Sequence, residues 1–343
     1  MIRALLAKAE KGEHLTADEA VDVFSEIMHG PAANPVLVAA FLTALQMNGP
    51  TVPEVAGAAR ALRAAGVHLT APADAVDIVG TGGDGAGTFN VSTTAALIAA
   101  GAGATVVKHG NRASTSRCGS ADCLAALGYD LAKTTADVQR SIDEHGIGFC
   151  FANACHPALR FAAAVRRELP YRTIFNLLGP LANPAGVTRL ALGVYAPDIV
   201  SLYVGALKTL GATRALVFCG PDGLDELGLS GVSRGVELFA DGHTAAFNVD
   251  PRSIFGAYAP RDAIAGGSPD ENARLTREVL VGTRRDAYRD AACLNAAAAL
   301  VIGGCANTLA AGVAQAAAAI DSGAAWTKLE QLIGTPKRTR HSA

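Results

Sequence analysis

The strongest constraint on the fold is the alternation of short β-prone runs with long alanine-rich runs after residue 75. Runs rich in Val, Ile and Phe are too short for helices, and each is followed by a segment with helical composition. This alternation predicts an α/β fold with a mostly parallel sheet covered by helices. The predicted strands are residues 75–80, 104–110, 146–152, 190–195 and 214–220.

The chain before these strands has only helical patterns. Thr16 with Glu19, and Thr51 with Glu54, have the spacing of capping boxes, in which each side chain bonds the other residue's backbone N–H. No β-prone run separates the helices. The sequence therefore predicts a small helical domain over residues 1–71, and the C-terminal third is also mostly helical in pattern.

Composition excludes several functional classes. The formal net charge of the 343 residues is -2, which argues against general binding to nucleic acid or to a membrane surface. No uninterrupted apolar run is long enough to span a membrane, and we expect no signal peptide, because the first residues lack a basic-then-apolar pattern. The seven cysteines form no CxxC pair, so we expect reduced thiols in the cytoplasm, buried as small apolar groups rather than as zinc ligands.

A glycine-rich loop follows the first predicted strand. Gly80-x-Gly82-x-x-Gly85 matches the loops that bind dinucleotides, in which glycines let the backbone approach a phosphate. The following helix start offers N–H donors, and Asn90 and Ser92 add polar side chains there. A tight structural turn is an equally good interpretation of an isolated match.

Two details argue against a nicotinamide enzyme, which is one alternative. Such a site needs an acidic residue at the end of the second strand to bind ribose hydroxyls, and here that strand ends in Lys108 and His109. Asp84 lies inside the glycine loop, where it repels a bare pyrophosphate unless it binds a ribose hydroxyl or a metal screens it. Together these residues favour a ribose that carries several phosphates.

The loop after the second predicted strand combines cations, an amide and hydroxyl groups. Such a set can bind an anion, although a solvated polar loop is the alternative. The residues concerned are Lys108, His109, Asn111, Arg112, Ser114, Thr115, Ser116, Gly119 and Ser120.

Acidic and basic candidates follow two later strands. Asp225 and Glu226 are adjacent carboxylates in a glycine-flanked loop, which suits Mg²⁺ beside a polyphosphate, although an exposed acidic turn is the commoner case. His156 is expected to cap a helix that carries Arg166 and Arg167. At most one of these arginines can face a given site, and Arg166 could bind a substrate carboxylate. A solvated helix face is the alternative.

Seven segments carry a family resemblance. They are GTGGD, FNVST, KHGNR, GSADCLAALG, HPALRFAAAVRREL, FNLLGPLANP and LDEL, in this order. They closely resemble the anthranilate phosphoribosyltransferase family of tryptophan biosynthesis over nearly the whole chain. The resemblance implies that the helical domain is completed by about residues 165–190, that residues 72–164 and 191–343 form the α/β domain, and that homodimers form through the helical domain.

The resemblance also implies a reaction, in which the amine of anthranilate displaces pyrophosphate from 5-phosphoribosyl diphosphate with two Mg²⁺ ions. A nucleoside phosphorylase, a transferase for another aromatic amine and a non-catalytic relative are alternatives. The implied phosphoribosyl diphosphate contacts are Gly80, Thr81, Gly82, Gly83, Asp84, Thr88, Asn90, Ser92, Thr93, Lys108, Ser114, Thr115, Ser116 and Ser120. The implied anthranilate contacts are Gly80, His109, Asn111, His156 and Arg166. The implied catalytic residues are Lys108, Asp225 and Glu226, and the implied metal ligands are Ser92, Asp225 and Glu226.

Overall fold

The computed structural model describes residues 1–28, 34–113 and 116–334. Its helices are α1 (Ile2–Glu10), α2 (Ala17–Met28), α3 (Pro35–Asn48), α4 (Val52–Ala64), α5 (Val91–Gly101), α6 (Ser120–Leu127), α7 (Thr135–His145), α8 (Ala152–Cys155), α9 (Leu159–Glu168), α10 (Phe175–Leu178), α11 (Val200–Thr209), α12 (Arg252–Phe255), α13 (Pro269–Leu280), α14 (Ala287–Gly303), α15 (Leu309–Asp321) and α16 (Ala324–Ile333). Its strands are β1 (Val76–Gly80), β2 (Val106–Gly110), β3 (Ile147–Phe151), β4 (Arg189–Gly193), β5 (Arg214–Cys219), β6 (Ser233–Leu238) and β7 (Thr244–Val249).

The N-terminal helices begin where the capping patterns predicted. The Thr16 N–H donates to Glu19 over 2.8 Å, and the Glu19 N–H donates back to the Thr16 hydroxyl over 3.2 Å. Thr51 and Glu54 form the same reciprocal pair at the start of α4. The Glu54 carboxylate also accepts from the Leu15 N–H over 2.9 Å, and this bond fixes the entry to α2 against α4.

Aromatic packing joins the N-terminal helices to the middle of the chain. The Phe24 ring lies edge-on to Phe41, with centroids 6.0 Å apart, and edge-on to Phe175, with centroids 5.5 Å apart. α9 packs against α2 and α3, and α10 packs against α4. These contacts support the prediction that residues near 165–190 complete the helical domain, whose boundaries stay a prediction.

All five predicted strands are present, and together with β6 and β7 they form one sheet in the order β3-β2-β1-β4-β5-β6-β7. The first five strands are parallel. The strand order reverses between β1 and β4, which makes this the switch point of the sheet. Ligands bind in the crevice at such a point in doubly wound sheets. The predicted α/β fold is therefore confirmed.

The antiparallel strands β6 and β7 were not predicted. They form a hairpin on the outer edge of the sheet, with Asp241 and Gly242 in its turn. Much of β7 is exposed, so its apolar alternation is weak. The Asp-Gly pair was the signal that could have revealed the hairpin.

Two further details of the fold bear on the predictions. His156 ends α8 instead of capping the next helix, and α9 begins at Leu159 after a turn that contains Pro157. Within the described ranges, every helix is too short or too polar to cross a membrane.

Candidate active site at the carboxyl ends of the strands

The loop after β5 packs directly on the ends of β1 and β4. A Cβ atom on Gly80 would lie 2.3 Å from a carboxylate oxygen of Asp225, and a Cβ atom on Gly193 would lie 1.8 Å from the Asp225 backbone oxygen. No side chain fits at either strand end. These two glycines therefore let the acidic loop reach the switch point of the sheet.

The glycine loop and the acidic loop are hydrogen bonded to each other. The Gly82 N–H donates to Asp225 Oδ2 over 2.6 Å, and the Asp225 N–H donates to Asp84 Oδ2 over 3.5 Å. Gly82 and Gly83 have φ angles of 70° and 75°, in the left-handed region that favours glycine. The sequence motif thus forms a backbone turn in which the Gly82 N–H donates to an acidic side chain of the neighbouring loop.

Glu226 joins the same loop to the N-terminus of α5. Its Oε1 accepts from the Ser92 N–H over 3.0 Å. The Lys108 ammonium group donates to the Ser92 hydroxyl over 3.3 Å and to the Ile78 carbonyl over 2.5 Å. Because only 5% of Lys108 is exposed, its charge lies beneath Ser92 and not on the open side of the loop.

Burial concentrates unbalanced charge at this site. Burial, together with repulsion from Glu226 and Asp84, raises the pKa of Asp225 well above its usual range. Burial raises the pKa of Glu226 to about 7, although Lys108 and a bond from Ser92 oppose the shift. Burial also lowers the pKa of Lys108. The paired carboxylates would be stabilised by more positive charge than Lys108 supplies.

These oxygen ligands fit a magnesium ion that is also coordinated by a phosphate. Across the described ranges, no three His, Cys, Asp or Glu side chains are grouped so as to hold a metal by themselves. Mg²⁺ commonly takes one or two carboxylates and completes its shell with phosphate oxygens and water. Asp225, Glu226 and the Ser92 hydroxyl can supply such a partial shell.

A buried asparagine holds the acidic loop from behind. Asn295 on α14 accepts from the Leu227 N–H over 2.9 Å and donates to the Leu227 carbonyl over 3.0 Å. Its side chain is fully buried. The backbone next to Glu226 is thereby fixed to the helix layer, a contact that no sequence motif indicated.

The remaining predicted phosphate contacts occupy different environments. Thr88 forms an isolated bridge with Ala265, and the Asn90 amide oxygen accepts from Asn272 over 2.8 Å. The Thr93 side chain is buried at the helix start, and its hydroxyl has no hydrogen-bond partner among the described residues.

The second-strand loop is partly described. Ser120 donates to the Asn111 carbonyl over 3.2 Å, and Ser116 donates to the Cys118 carbonyl over 3.4 Å. Ser114 and Thr115 lie outside the described residues. The roles of all four as phosphate contacts stay predictions.

A cavity of about 190 Å³, lined by both apolar and polar residues, adjoins the glycine loop. All five residues predicted on the anthranilate side line it, namely Gly80, His109, Asn111, His156 and Arg166. Apolar side chains that include Leu62, Leu159 and Phe175 form much of the rest of its wall. The sequence prediction therefore identified residues that the fold brings together, although their contact with a substrate is untested.

Backbone carbonyls orient both histidines of this cavity. His109 Nδ1 lies 3.0 Å from the Gly179 carbonyl, and His156 Nε2 lies 2.9 Å from the Ala182 carbonyl. A carbonyl only accepts, so these nitrogens carry the protons. Burial lowers the pKa of His109 to about 3, which keeps its ring neutral. His109 Nε2 is then an acceptor that is buried and unpaired among the described residues.

The two adjacent arginines point in different directions, as predicted. Arg166 lines the cavity, with its guanidinium carbon 5.2 Å from the Phe175 ring centroid, whereas Arg167 is exposed. Burial lowers the pKa of Arg166, so the charged guanidinium lies in a poorly solvated position. A carboxylate that enters the cavity can form a paired, charge-assisted hydrogen bond there.

The sequence analysis did not identify the buried, hydrogen-bonded pair of Asp77 and Asn183. Asn183 donates to Asp77 Oδ2 and to the Val107 carbonyl, each over 2.8 Å, and the His109 N–H lies 3.3 Å from the Asp77 carboxylate. This network fixes the end of β2 against the segment that supplies the Gly179 carbonyl. An aspartate inside a predicted buried strand was the available signal.

Comparisons with known proteins identify relatives of both the helical and the α/β part of the chain. Residues 3–66 match the helical bundle domain of the glycosyl transferase family, and residues 72–326 match its a/b domain. The anthranilate phosphoribosyltransferase of Rhodopseudomonas palustris strain BisB18 is 50% identical, over 96% of this chain and 97% of its own length.

Solved structures extend the similarity. The anthranilate phosphoribosyltransferase of Thermus thermophilus has a TM-score of 0.90 at 45% identity, covering 96% of this chain and 98% of its own. The Saccharomyces cerevisiae enzyme in complex with PRPP and Mg has a TM-score of 0.88 at 29% identity, covering 97% of this chain and 96% of its own. It has also been solved with 4-fluoroanthranilate. The chain belongs to the anthranilate phosphoribosyltransferase family.

Proposed function

We propose that this protein transfers the 5-phosphoribosyl group from 5-phosphoribosyl diphosphate to the amine of anthranilate, releasing pyrophosphate. The observation that best supports this function is that Gly80 joins two different sites, the glycine loop with its acidic neighbours and the cavity. Gly80 contacts Asp225 of the acidic loop, and it also lines the cavity that Arg166 lines. The yeast relative with bound PRPP and Mg supports the donor, and its complex with 4-fluoroanthranilate supports the acceptor.

The residues of the first site would hold the donor. The glycine loop and the N-terminus of α5 are the kinds of backbone that bind a diphosphate, and both adjoin the acidic pair, because the Gly82 and Ser92 N–H groups donate to Asp225 and Glu226. Mg²⁺, when bound at Asp225, Glu226 and Ser92, would neutralise charge on the leaving pyrophosphate. We propose two such ions, as in the sequence-based prediction. Lys108 adds a fixed positive charge beneath Ser92.

The residues of the second site would orient the acceptor. Arg166 binds the carboxylate, and apolar walls enclose the aromatic ring. His109 Nε2, which carries no proton, accepts from an amine N–H and so directs the amine toward the ribose. A neutral aromatic amine is already a nucleophile, and a ring with a pKa of about 3 is a weak base at neutral pH. His109 therefore orients the amine, and catalysis rests on positioning and charge stabilisation.

The helical domain carries a surface that suits the proposed homodimer. Val36, Ala40, Thr43 and Met47 recur at helical spacing along one side of α3. Val36 is 75% exposed and Met47 is 82% exposed, which is unusual for large apolar side chains. Met47→Glu is expected to give half the wild-type mass by light scattering, whereas Gln46→Glu on the neighbouring face should stay dimeric. A wild-type monomer would contradict the homodimer.

Product analysis tests the function directly. The purified protein is incubated with anthranilate, 5-phosphoribosyl diphosphate and Mg²⁺, and the products are measured by mass spectrometry and a pyrophosphate assay. Equal amounts of N-(5-phosphoribosyl)anthranilate and pyrophosphate are expected. Phosphorolysis of thymidine or uridine, without this product, would favour a nucleoside phosphorylase instead. Location in the cytoplasm stays a prediction, which the seven free cysteines support.

A further inference from the structure

Arg172 contacts the glycine loop from the segment between α9 and α10. Its guanidinium group donates to the Gly83 carbonyl. The same group lies over the ring of Tyr195, with its central carbon 3.8 Å from the ring centroid. A Cβ atom on Gly83 would lie 2.6 Å from the guanidinium nitrogen, so the loop and the arginine are in direct contact. The sequence analysis named neither Arg172 nor Tyr195 as a site residue.

Tyr195 is itself bonded to the loop. Its backbone N–H donates to the Thr81 hydroxyl over 3.2 Å, and the Thr81 N–H donates to the Gly193 carbonyl over 3.0 Å. Arg172 therefore contacts the loop at Gly83, and its guanidinium group packs on the ring of Tyr195. The backbone of Tyr195 in turn contacts the loop at Thr81. The loop from Thr81 to Gly83 is fixed on both sides by these contacts.

This loop needs external support because of its composition. Gly82 and Gly83 both have left-handed backbone angles, and glycine loses more conformational freedom than any other residue when it is fixed. A ligand that had to order the loop would bind more weakly by the cost of that ordering. Contacts that order the loop in advance remove this cost from binding.

We propose that Arg172 is a positioning residue that shapes the glycine loop for 5-phosphoribosyl diphosphate, with Tyr195 as its support. The inference rests on the proposed function, since it assumes that this loop binds the donor. Arginine suits the task because its planar group can stack on a ring and donate a hydrogen bond at once. Lysine keeps the charge but cannot do both.

Calorimetric titration of 5-phosphoribosyl diphosphate with Mg²⁺ tests the proposal in the full-length protein. Arg172→Ala is expected to raise the Kd about tenfold, in line with loss of one charge-assisted hydrogen bond. Arg172→Lys and Tyr195→Leu should each raise the Kd several-fold. Arg167→Ala, which removes an exposed arginine of α9, is the matched control and should bind as the wild type does. The KM for anthranilate should change less than twofold in all four variants.

Several results would overturn the proposal. An unchanged Kd in Arg172→Ala would show that the loop needs no such support. Full wild-type affinity in Arg172→Lys would show that charge alone matters, as in a direct phosphate contact. Equal weakening of both substrates, with a lower melting temperature in Arg172→Ala and Tyr195→Leu, would show a purely structural role. A wild-type protein that binds no 5-phosphoribosyl diphosphate would instead refute the proposed function.

Discussion

The backbone N–H of Ser92 donates to the carboxylate of Glu226 over 3.0 Å, and this bond joins the start of α5 to the loop after β5. The hydroxyl of the same serine accepts from Lys108. One residue therefore connects a helix N-terminus, a buried cation and a buried acid. The proposed roles of all three depend on this junction.

Replacing both Asp225 and Glu226 with alanine should lower turnover at least about a hundredfold, because charge stabilisation of the leaving group is commonly worth that much. The measurement is the initial rate across a Mg²⁺ titration. Asp241→Ala, at an exposed acid in the β6–β7 turn, serves as the control and should behave as the wild type does. Near-normal turnover in the double variant would contradict the metal assignment.

Arg166→Ala should raise the KM for anthranilate about tenfold or more, because a charge-assisted bond to the carboxylate is lost. The KM for 5-phosphoribosyl diphosphate should change little. The adjacent Arg167→Ala provides a matched control, since that side chain is exposed. If the two variants had equal KM values for anthranilate, the carboxylate site would have to lie elsewhere.

The low pKa of His109 predicts a loss of stability in acid. Burial lowers this pKa to about 3, against roughly 6.5 in an unfolded chain. Between these values the unfolded chain binds more protons, so the His109 contribution is fully present above pH 6.5 and is lost as the pH falls toward 3.

Urea unfolding at pH 7 and at pH 5 measures this effect. His109→Asn should show a smaller drop in the free energy of unfolding between the two pH values than the wild type shows. The same drop in both proteins would mean that His109 does not contribute to the acid sensitivity. His68→Asn, at an exposed histidine, is a suitable comparison.

Asn295→Leu should lower the free energy of unfolding by roughly 2–4 kcal/mol, because the buried N–H and carbonyl of Leu227 both lose their partner. The loop beside Glu226 is then less ordered, so the Mg²⁺ concentration for half-maximal rate should also rise. Chemical denaturation and a Mg²⁺ titration test the two effects. Asn248→Leu on the exposed edge strand controls for the added leucine. Unchanged stability in Asn295→Leu would contradict the assigned role of Asn295.

Much of the site could be predicted because parallel strands bring their following loops to one edge. Glycines after β1, cations after β2 and acids after β5 are far apart in sequence, yet the parallel sheet brings all three loops to the same edge. The anthranilate-side residues depended on the family resemblance, since nothing local distinguishes Arg166 from Arg167.

Other features depend on tertiary contacts that leave no local pattern. Arg172 is one arginine among many until the fold places it on Tyr195. Asn295 lies within an alanine-rich helix and is identified only by its bonds to Leu227. The burial of Lys108 beneath Ser92 likewise requires the packing of α5 on the sheet, whereas the sequence indicated only a cation at a strand end.

The fluorescence of anthranilate tests the central claim most directly. The fluorescence intensity is recorded over time with purified protein, 5-phosphoribosyl diphosphate and Mg²⁺, and each of the three is omitted in turn. We predict that the fluorescence intensity falls only when all three are present. A constant signal from folded protein in the complete mixture would contradict the assigned reaction.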